Sequence, residues 1–228
     1  MELLWIQIMR NVTLKNSLYL LLGVSAIAWF LLAYFNNLDL SKVKDFFGLI
    51  PKVVTIDLLV IAVFVKWGWK FKIFRGWLVP FPNLHGSWMG NIYSDWENPT
   101  TQDKAPPIPV LLVIKQNFFH INCKMMTGEM ESFSTAEGFN IEADRQIKQL
   151  AYIYTSKPRI SLNERSLPHD GSIVFDIIEK PEEKLKGRYW TERKTTGEII
   201  LKRYSLCILE DVPEDFGKHP ITETENLR

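Results

Sequence analysis

Tyr189, Thr191 and Arg193 fall at alternate positions of one strand-like run, with Gly187 before them. Period two places all four on one face of a strand. Ser132, Ser134 and Ala136 form a small polar face on a second run, and Leu150, Tyr152 and Tyr154 share a third. Aromatic rings stack on bases, an arginine pairs with phosphate, and small residues leave room beside them. The chemistry expected of this set is binding. Tyr189, Thr191, Arg193, Tyr152, Tyr154, Ser132 and Ser134 are the candidate ligand contacts. The plainer alternative makes the tyrosines core residues with hydroxyls at the rim, and Arg193 a solvated edge charge.

Catalysis is not indicated. The sequence holds no G-x-S-x-G, H-E-x-x-H, Walker loop or G-x-G-x-x-G. His85, His120, His169 and His219 are isolated and lack metal-ligand spacing. The carboxylates are scattered, and on strands they are expected mostly to face water. Cys123 and Cys207 are far apart with no C-x-x-C pattern, which fits two small apolar residues in a reducing compartment. The expectation is therefore no catalytic residue, no metal and no enzyme.

The binding runs belong to a β-rich segment. From Leu84 the pattern turns strand-like, with strands expected near 86–96, 108–117, 118–127, 130–142, 147–156, 172–180, 184–194 and 197–206. Asn98 to Pro107 and Ser156 to Gly171 read as loops, and Lys194 to Gly197 as a short hairpin connection. Eight consecutive strands predict an all-β domain. A compact eight-stranded antiparallel barrel, lipocalin-like in outline, is favoured over a two-sheet sandwich because closure removes exposed edges. Gly86-Ser87-Trp88 opens the first strand and resembles the start of lipocalin-like barrels, in which a Trp in this place plugs the narrow end, and Arg203 in the last strand could stack on it.

Two apolar segments precede this domain. Ser17 to Phe35 is nineteen residues without a charge. That is about 28 Å of helix, enough for a hydrocarbon core of about 30 Å. Val53 to Val65 reaches spanning length when extended back through Phe46, Phe47, Leu49 and Ile50 and forward to Trp67. Both are expected to be transmembrane α-helices. Arg10 and Lys15 precede the first, and Lys66, Lys70, Lys72 and Arg75 follow the second, so the positive-inside rule puts both termini in the cytosol. The Asn11-Val12-Thr13 glycosylation pattern is then without use. Asp57 lies within the second span. It is either hydrated one to two turns from the outer interface, or turned toward other helices or a water-lined path. Trp67 and Trp69, interleaved with lysines, suit the headgroup zone.

The resulting domain order is a cytosolic segment 1–16, a first span 17–35, an external loop 36–46 and a second span 47–67. A basic-aromatic linker 68–83, a barrel 84–208 and a polar, mobile C-terminal tail 209–228 follow. Residues 1–82 carry nine Lys/Arg against four Asp/Glu, whereas residues 83–228 carry eighteen against twenty-two. A net-acidic barrel lacks the basic footprint that duplex nucleic acid requires.

This order of parts resembles the two-transmembrane, β-strand-rich effector family of CBASS anti-phage defence, associated with SMODS-type nucleotidyltransferases. The resemblance rests on the two spans, the junction Lys66-Trp67-Gly68-Trp69-Lys70 and the opening Leu84-His85-Gly86-Ser87-Trp88-Met89-Gly90. It rests also on Gly187-Arg188-Tyr189-Trp190-Thr191 and Thr196-Gly197-Glu198-Ile199-Ile200-Leu201. It implies a cytosolic β-barrel that binds a cyclic dinucleotide or cyclic oligonucleotide made by a partner nucleotidyltransferase. It further implies homo-oligomerisation on activation, disruption of the bacterial inner membrane and death of the infected cell. Asp57, Trp67 and Trp69 would then act in membrane assembly. Two other readings stand beside it: a membrane-tethered barrel carrying a lipid or other apolar ligand, and a structural adaptor without a small ligand.

Overall fold

The computed structural model describes residues 14–39, 41–97, 102–160, 166–214, 216–217 and 220. Arg10, the Asn11-Val12-Thr13 tripeptide, His219 and residues 221–228 of the tail lie outside these. The chain forms two compact units, Met1–Asn83 and Leu84–Arg228.

In the first unit, α1 (Leu14–Phe35) is followed by the short α2 (Val43–Gly48) and by α3 (Ile50–Lys66). Pro51 sits in the first turn of α3, where its missing N–H would have no partner anyway. Lys15–Phe35 and Val43–Lys66 are each long and apolar enough to cross a membrane. Large apolar side chains are exposed around both, among them Leu22, Ile27, Phe30, Leu58, Leu59 and Val63. Such exposure is the pattern of a candidate membrane-crossing helix.

The helices meet through small residues. Ala28 and Ala33 of α1 pack with Leu49 and Val53, and Trp29 stacks on Phe46 with ring centroids 4.7 Å apart. Small side chains let helices approach closely in lipid. Ser25 Oγ donates to Asp57 Oδ2 at 2.8 Å. Asn16 Nδ2 donates to the carbonyl of Trp77 at 2.5 Å, which brings the start of α1 beside the segment after α3.

The second unit is a closed barrel of eight antiparallel strands in sequential order. They are β1 (Gly86–Ser94), β2 (Ile108–Gln116), β3 (Ile121–Met126), β4 (Met130–Glu142), β5 (Ile147–Pro158), β6 (His169–Ile178), β7 (Lys184–Thr191) and β8 (Thr196–Ser205). The expected fold and strand order hold. Alternation explains why: Leu150, Tyr152 and Tyr154 of β5, Ile173, Phe175 and Ile177 of β6, and Ile199 and Leu201 of β8 all face one buried core. Three glycines make room for rings across the ladder. A Cβ on Gly171 would lie 2.5 Å from the Tyr154 ring, one on Gly187 2.5 Å from Phe175, and one on Gly197 2.7 Å from Tyr189.

The tail differs from the expectation of mobility. Ile208, Leu209, Val212 and Phe216 pack on Leu111, Val113 and Met126, which are buried on the outer face of β2 and β3. The clasp is Ser87, whose Oγ donates to the carbonyl of Cys207 at 2.8 Å and accepts from the N–H of Leu209 at 3.0 Å. This strap explains the unbroken apolar run Val110–Ile114, because β2 is buried on both faces.

Candidate functional site

One end of the barrel is sealed. Trp88 is 1% exposed, and its indole N–H donates to the carbonyl of Leu84 at 3.0 Å. Arg203, its register partner on β8, lies over the ring at 4.1 Å and donates to the carbonyl of His85 at 2.9 Å. Leu84 N–H donates to Gln116 Oε1 at 2.7 Å, and Gln116 N–H to His85 Nδ1 at 3.2 Å. His85 is thus a structural acceptor.

Toward the other end the inner face turns polar in rows. The registers Ser132↔Ser156 and Ser156↔His169 place three buried polar residues in the outermost row. Ser134, Tyr154, Gly171 and Thr191 form the next, followed by Glu137, Tyr152, Ile173, Tyr189 and Gly197. Below these lie Phe139, Leu150, Phe175, Gly187 and Ile199, and the core continues as aliphatics toward Trp88. The polar rows are supplied by four adjacent strands, β4 to β7, and by the first inner position of β8.

The expected contacts Ser132, Ser134, Tyr152, Tyr154 and Tyr189 therefore converge on one wall. Four details depart from the strand-phase expectation. Ala136 does not share the face of Ser132 and Ser134, because a bulge at Thr135 shifts the register between Ser134 and Ala136. Ala136 faces outward opposite Ile153, and Glu137 takes the inward place opposite Tyr152. Arg193 lies past the end of β7, in the turn before β8. Its guanidinium donates to Ser166 Oγ at 3.0 Å and lies 3.4 Å from His169 Nδ1. Thr191 is committed to that turn, its Oγ1 bonding Thr195 Oγ1 at 2.7 Å and accepting the Thr195 N–H at 3.3 Å.

Phase reasoning missed Ser156, Ser166, His169 and Glu137. His169 is buried, its Nδ1 3.1 Å from the carbonyl of Leu167, and was legible only as an isolated histidine. Glu137 is an exception to the expectation that strand carboxylates mostly face water. Burial raises the Tyr152, Tyr154 and Tyr189 phenols, with Cys123, Tyr154 and Glu137 adding to the effect at Tyr152. Burial and Glu137 likewise push the Cys123 thiol up. Cys123 is buried as expected, whereas Cys207 is exposed, and both are free.

In the first unit, Asp57 faces Ser25, which lies halfway along α1. The contact puts the carboxylate between the two helices. Trp69 is 2% exposed and packs against Phe81 at 5.8 Å, a buried place rather than the exposed one its expected headgroup position implies. Trp67 is exposed, with Lys66 Nζ 4.5 Å from its ring. A groove of about 390 Å³ on the outside of the barrel is lined by Met89, Pro109, Lys202, Tyr204 and Phe216. Lys202 is paired there with Glu182 at 3.2 Å, and the strap forms one wall.

The family description "Cap15, cyclic dinucleotide receptor domain" matches residues 79–203, from just before β1 into β8. The curated CD-NTase-associated protein 15 of Staphylococcus schleiferi is 24% identical over 190 residues, covering 82% of this chain and 96% of that protein. The matched receptor domain takes in every polar row of the barrel wall, and the resemblance to CBASS effectors is borne out. The chain belongs to the Cap15 family, and its barrel is that family's cyclic dinucleotide receptor domain.

Proposed function

We propose that the protein is a CBASS effector whose barrel binds a cyclic dinucleotide at the polar end and whose helical hairpin disrupts the inner membrane. The observation that carries this reading is the graded barrel wall, polar and aromatic toward one end and aliphatic toward the Trp88 plug. Tyr154 and Tyr189 supply rings for base stacking. Arg193, held by Ser166, supplies a cation for phosphate at the rim. Ser132, Ser156 and His169 supply further polar atoms in the outermost row. The messenger would come from a partner nucleotidyltransferase, and the barrel acts as a receptor rather than an enzyme.

The output belongs to the two spans, in the bacterial inner membrane with the barrel in the cytosol. A single hairpin cannot enclose a pore, so disruption requires homo-oligomers. Confinement to a plane raises effective concentration, and a ligand favouring the assembling state shifts the equilibrium toward it. Asp57 and the exposed Trp67 are the residues assigned to assembly. Cross-linking of the full chain in liposomes, with and without cyclic dinucleotide, tests this. Higher oligomers and dye release that require ligand are expected. Saturable binding with neither change would overturn the output while leaving the receptor in place.

A further inference from the structure

The backbone ladder between β3 and β4 is only three pairs long, Lys124↔Phe133 to Met126↔Glu131. Beyond it a side chain takes over: the N–H of Cys123 donates to Ser134 Oγ at 2.8 Å. The Ser134 hydroxyl in turn donates to Glu137 Oε1. Asn122 Nδ2 reaches the same oxygen at 3.4 Å from an exposed position on the barrel flank. The Thr135 bulge has thus turned a carboxylate inward and fixed it where the wall is held by side chains.

Directly opposite, across the β4–β5 ladder, stands Tyr152. It is 3% exposed, and its hydroxyl has no hydrogen-bond partner. Buried polar groups are nearly always satisfied, and an orphan donor this deep calls for a use. Burial and Glu137 both keep the phenol protonated, so it remains a donor.

A carboxylate is the wrong group for phosphate, and Arg193 already serves that role at the rim. A carboxylate accepts only, whereas the phenol donates. Two acceptors beside a donor match the edge of guanine, whose N1–H and N2–H₂ donate while O6 accepts. Adenine, cytosine and uracil do not offer two adjacent donors beside an acceptor. We propose that Glu137 and Tyr152 form a base-reading subsite that selects cyclic dinucleotides containing guanine. Glu137 takes the two N–H groups, Tyr152 donates to O6, and Ser134 holds the carboxylate in place. This rests on reading the barrel as a cyclic dinucleotide receptor. Discrimination is expected to be large, because a base lacking the donors leaves buried polar groups unpaired.

The test is calorimetric titration of the full chain in detergent micelles with cyclic di-GMP, cyclic di-AMP and cyclic di-UMP. Glu137→Gln and Tyr152→Phe are run beside the parent. The guanine ring is expected to bind at least tenfold more tightly than the others. Glu137→Gln should lose at least tenfold for cyclic di-GMP and little for the guanine-free rings. Tyr152→Phe should weaken cyclic di-GMP several-fold while raising the melting temperature of the ligand-free protein, a combination that a packing role would not give. Equal or tighter binding of a guanine-free ring, or parental affinity of Glu137→Gln for cyclic di-GMP, would overturn the subsite alone. No binding of any ring would overturn the receptor reading with it.

Discussion

Arg203 lies across the face of Trp88, its guanidinium carbon 4.1 Å from the ring centroid, and the two are register partners on the last and first strands. The contact therefore sits on the seam that closes the barrel. Arg203 also donates to the carboxylate of Glu183 and to the carbonyl of His85. Lysine would keep the charge but lose the flat stack and the fork of donors. Arg203→Lys is expected to cost about 1–2 kcal/mol. Trp88→Ala should cost about 3–5 kcal/mol. Both should appear as a lower urea midpoint with an unchanged slope. A parental midpoint for Arg203→Lys would make the stack incidental.

Ser87 is fully buried, and its hydroxyl joins β1 to the strap on both sides of Ile208. Ser87→Ala leaves the Cys207 carbonyl and the Leu209 N–H without that partner, at an expected cost of about 1–3 kcal/mol. Loosening the strap uncovers Leu111, Val113 and Met126. The variant should therefore bind a hydrophobic dye below its melting temperature. Unchanged melting and dye binding would show that the strap does not depend on this clasp.

Alkaline pH should destabilise the barrel. The Tyr152, Tyr154 and Tyr189 phenols and the Cys123 thiol all ionise at higher pH in the fold than their ordinary values of 10.0 and 9.0. Below pH 9 both states hold these protons and no penalty arises. As pH rises past 9 and then 10, the unfolded chain releases protons that the fold retains, so stability falls. The urea midpoint is expected to be level from pH 7 to 9 and to drop toward pH 11. Tyr152→Phe should flatten the drop. An identical slope in the variant would contradict the burial of that hydroxyl.

Ser25 Oγ donates to Asp57 Oδ2, while Asp57 Oδ1 is buried without a hydrogen-bond partner. A carboxylate within a span is costly, on the order of 2.5–3.5 kcal/mol at the bilayer centre. Asp57→Leu should leave cyclic dinucleotide affinity unchanged and sharply alter ligand-triggered dye release. Release identical to the parent would return Asp57 to a structural role.

Much of this was legible in the sequence because period and burial agree. Leu150, Tyr152 and Tyr154 announce β5 and its inner face, and Trp88 with Arg203 can be paired once the first and last strands are placed. What escaped depends on register. The bulge at Thr135 reverses the face of every later β4 residue, so Glu137 comes inward without any change in local pattern. Arg193 reads as a strand residue until the turn takes it past the end of β7. The strap had a signal, in Ile208, Leu209, Val212 and Phe216 and in the two-sided apolar run of β2, but polar neighbours concealed it. Residue type alone suggests an interfacial Trp69, whereas its contact with Phe81 joins positions that no local pattern connects.

The most direct test of the receptor reading is titration of cyclic dinucleotides into the full chain and its Arg193→Ala variant. The account predicts saturable binding by the parent, with a melting temperature that rises with ligand concentration as mass action requires. It predicts at least tenfold weaker binding by Arg193→Ala, whose ligand-free protein should still melt cooperatively, lowered by no more than the loss of the Ser166 and His169 contacts, about 1–3 kcal/mol. Absence of binding by every cyclic dinucleotide, with the protein folded, would contradict it.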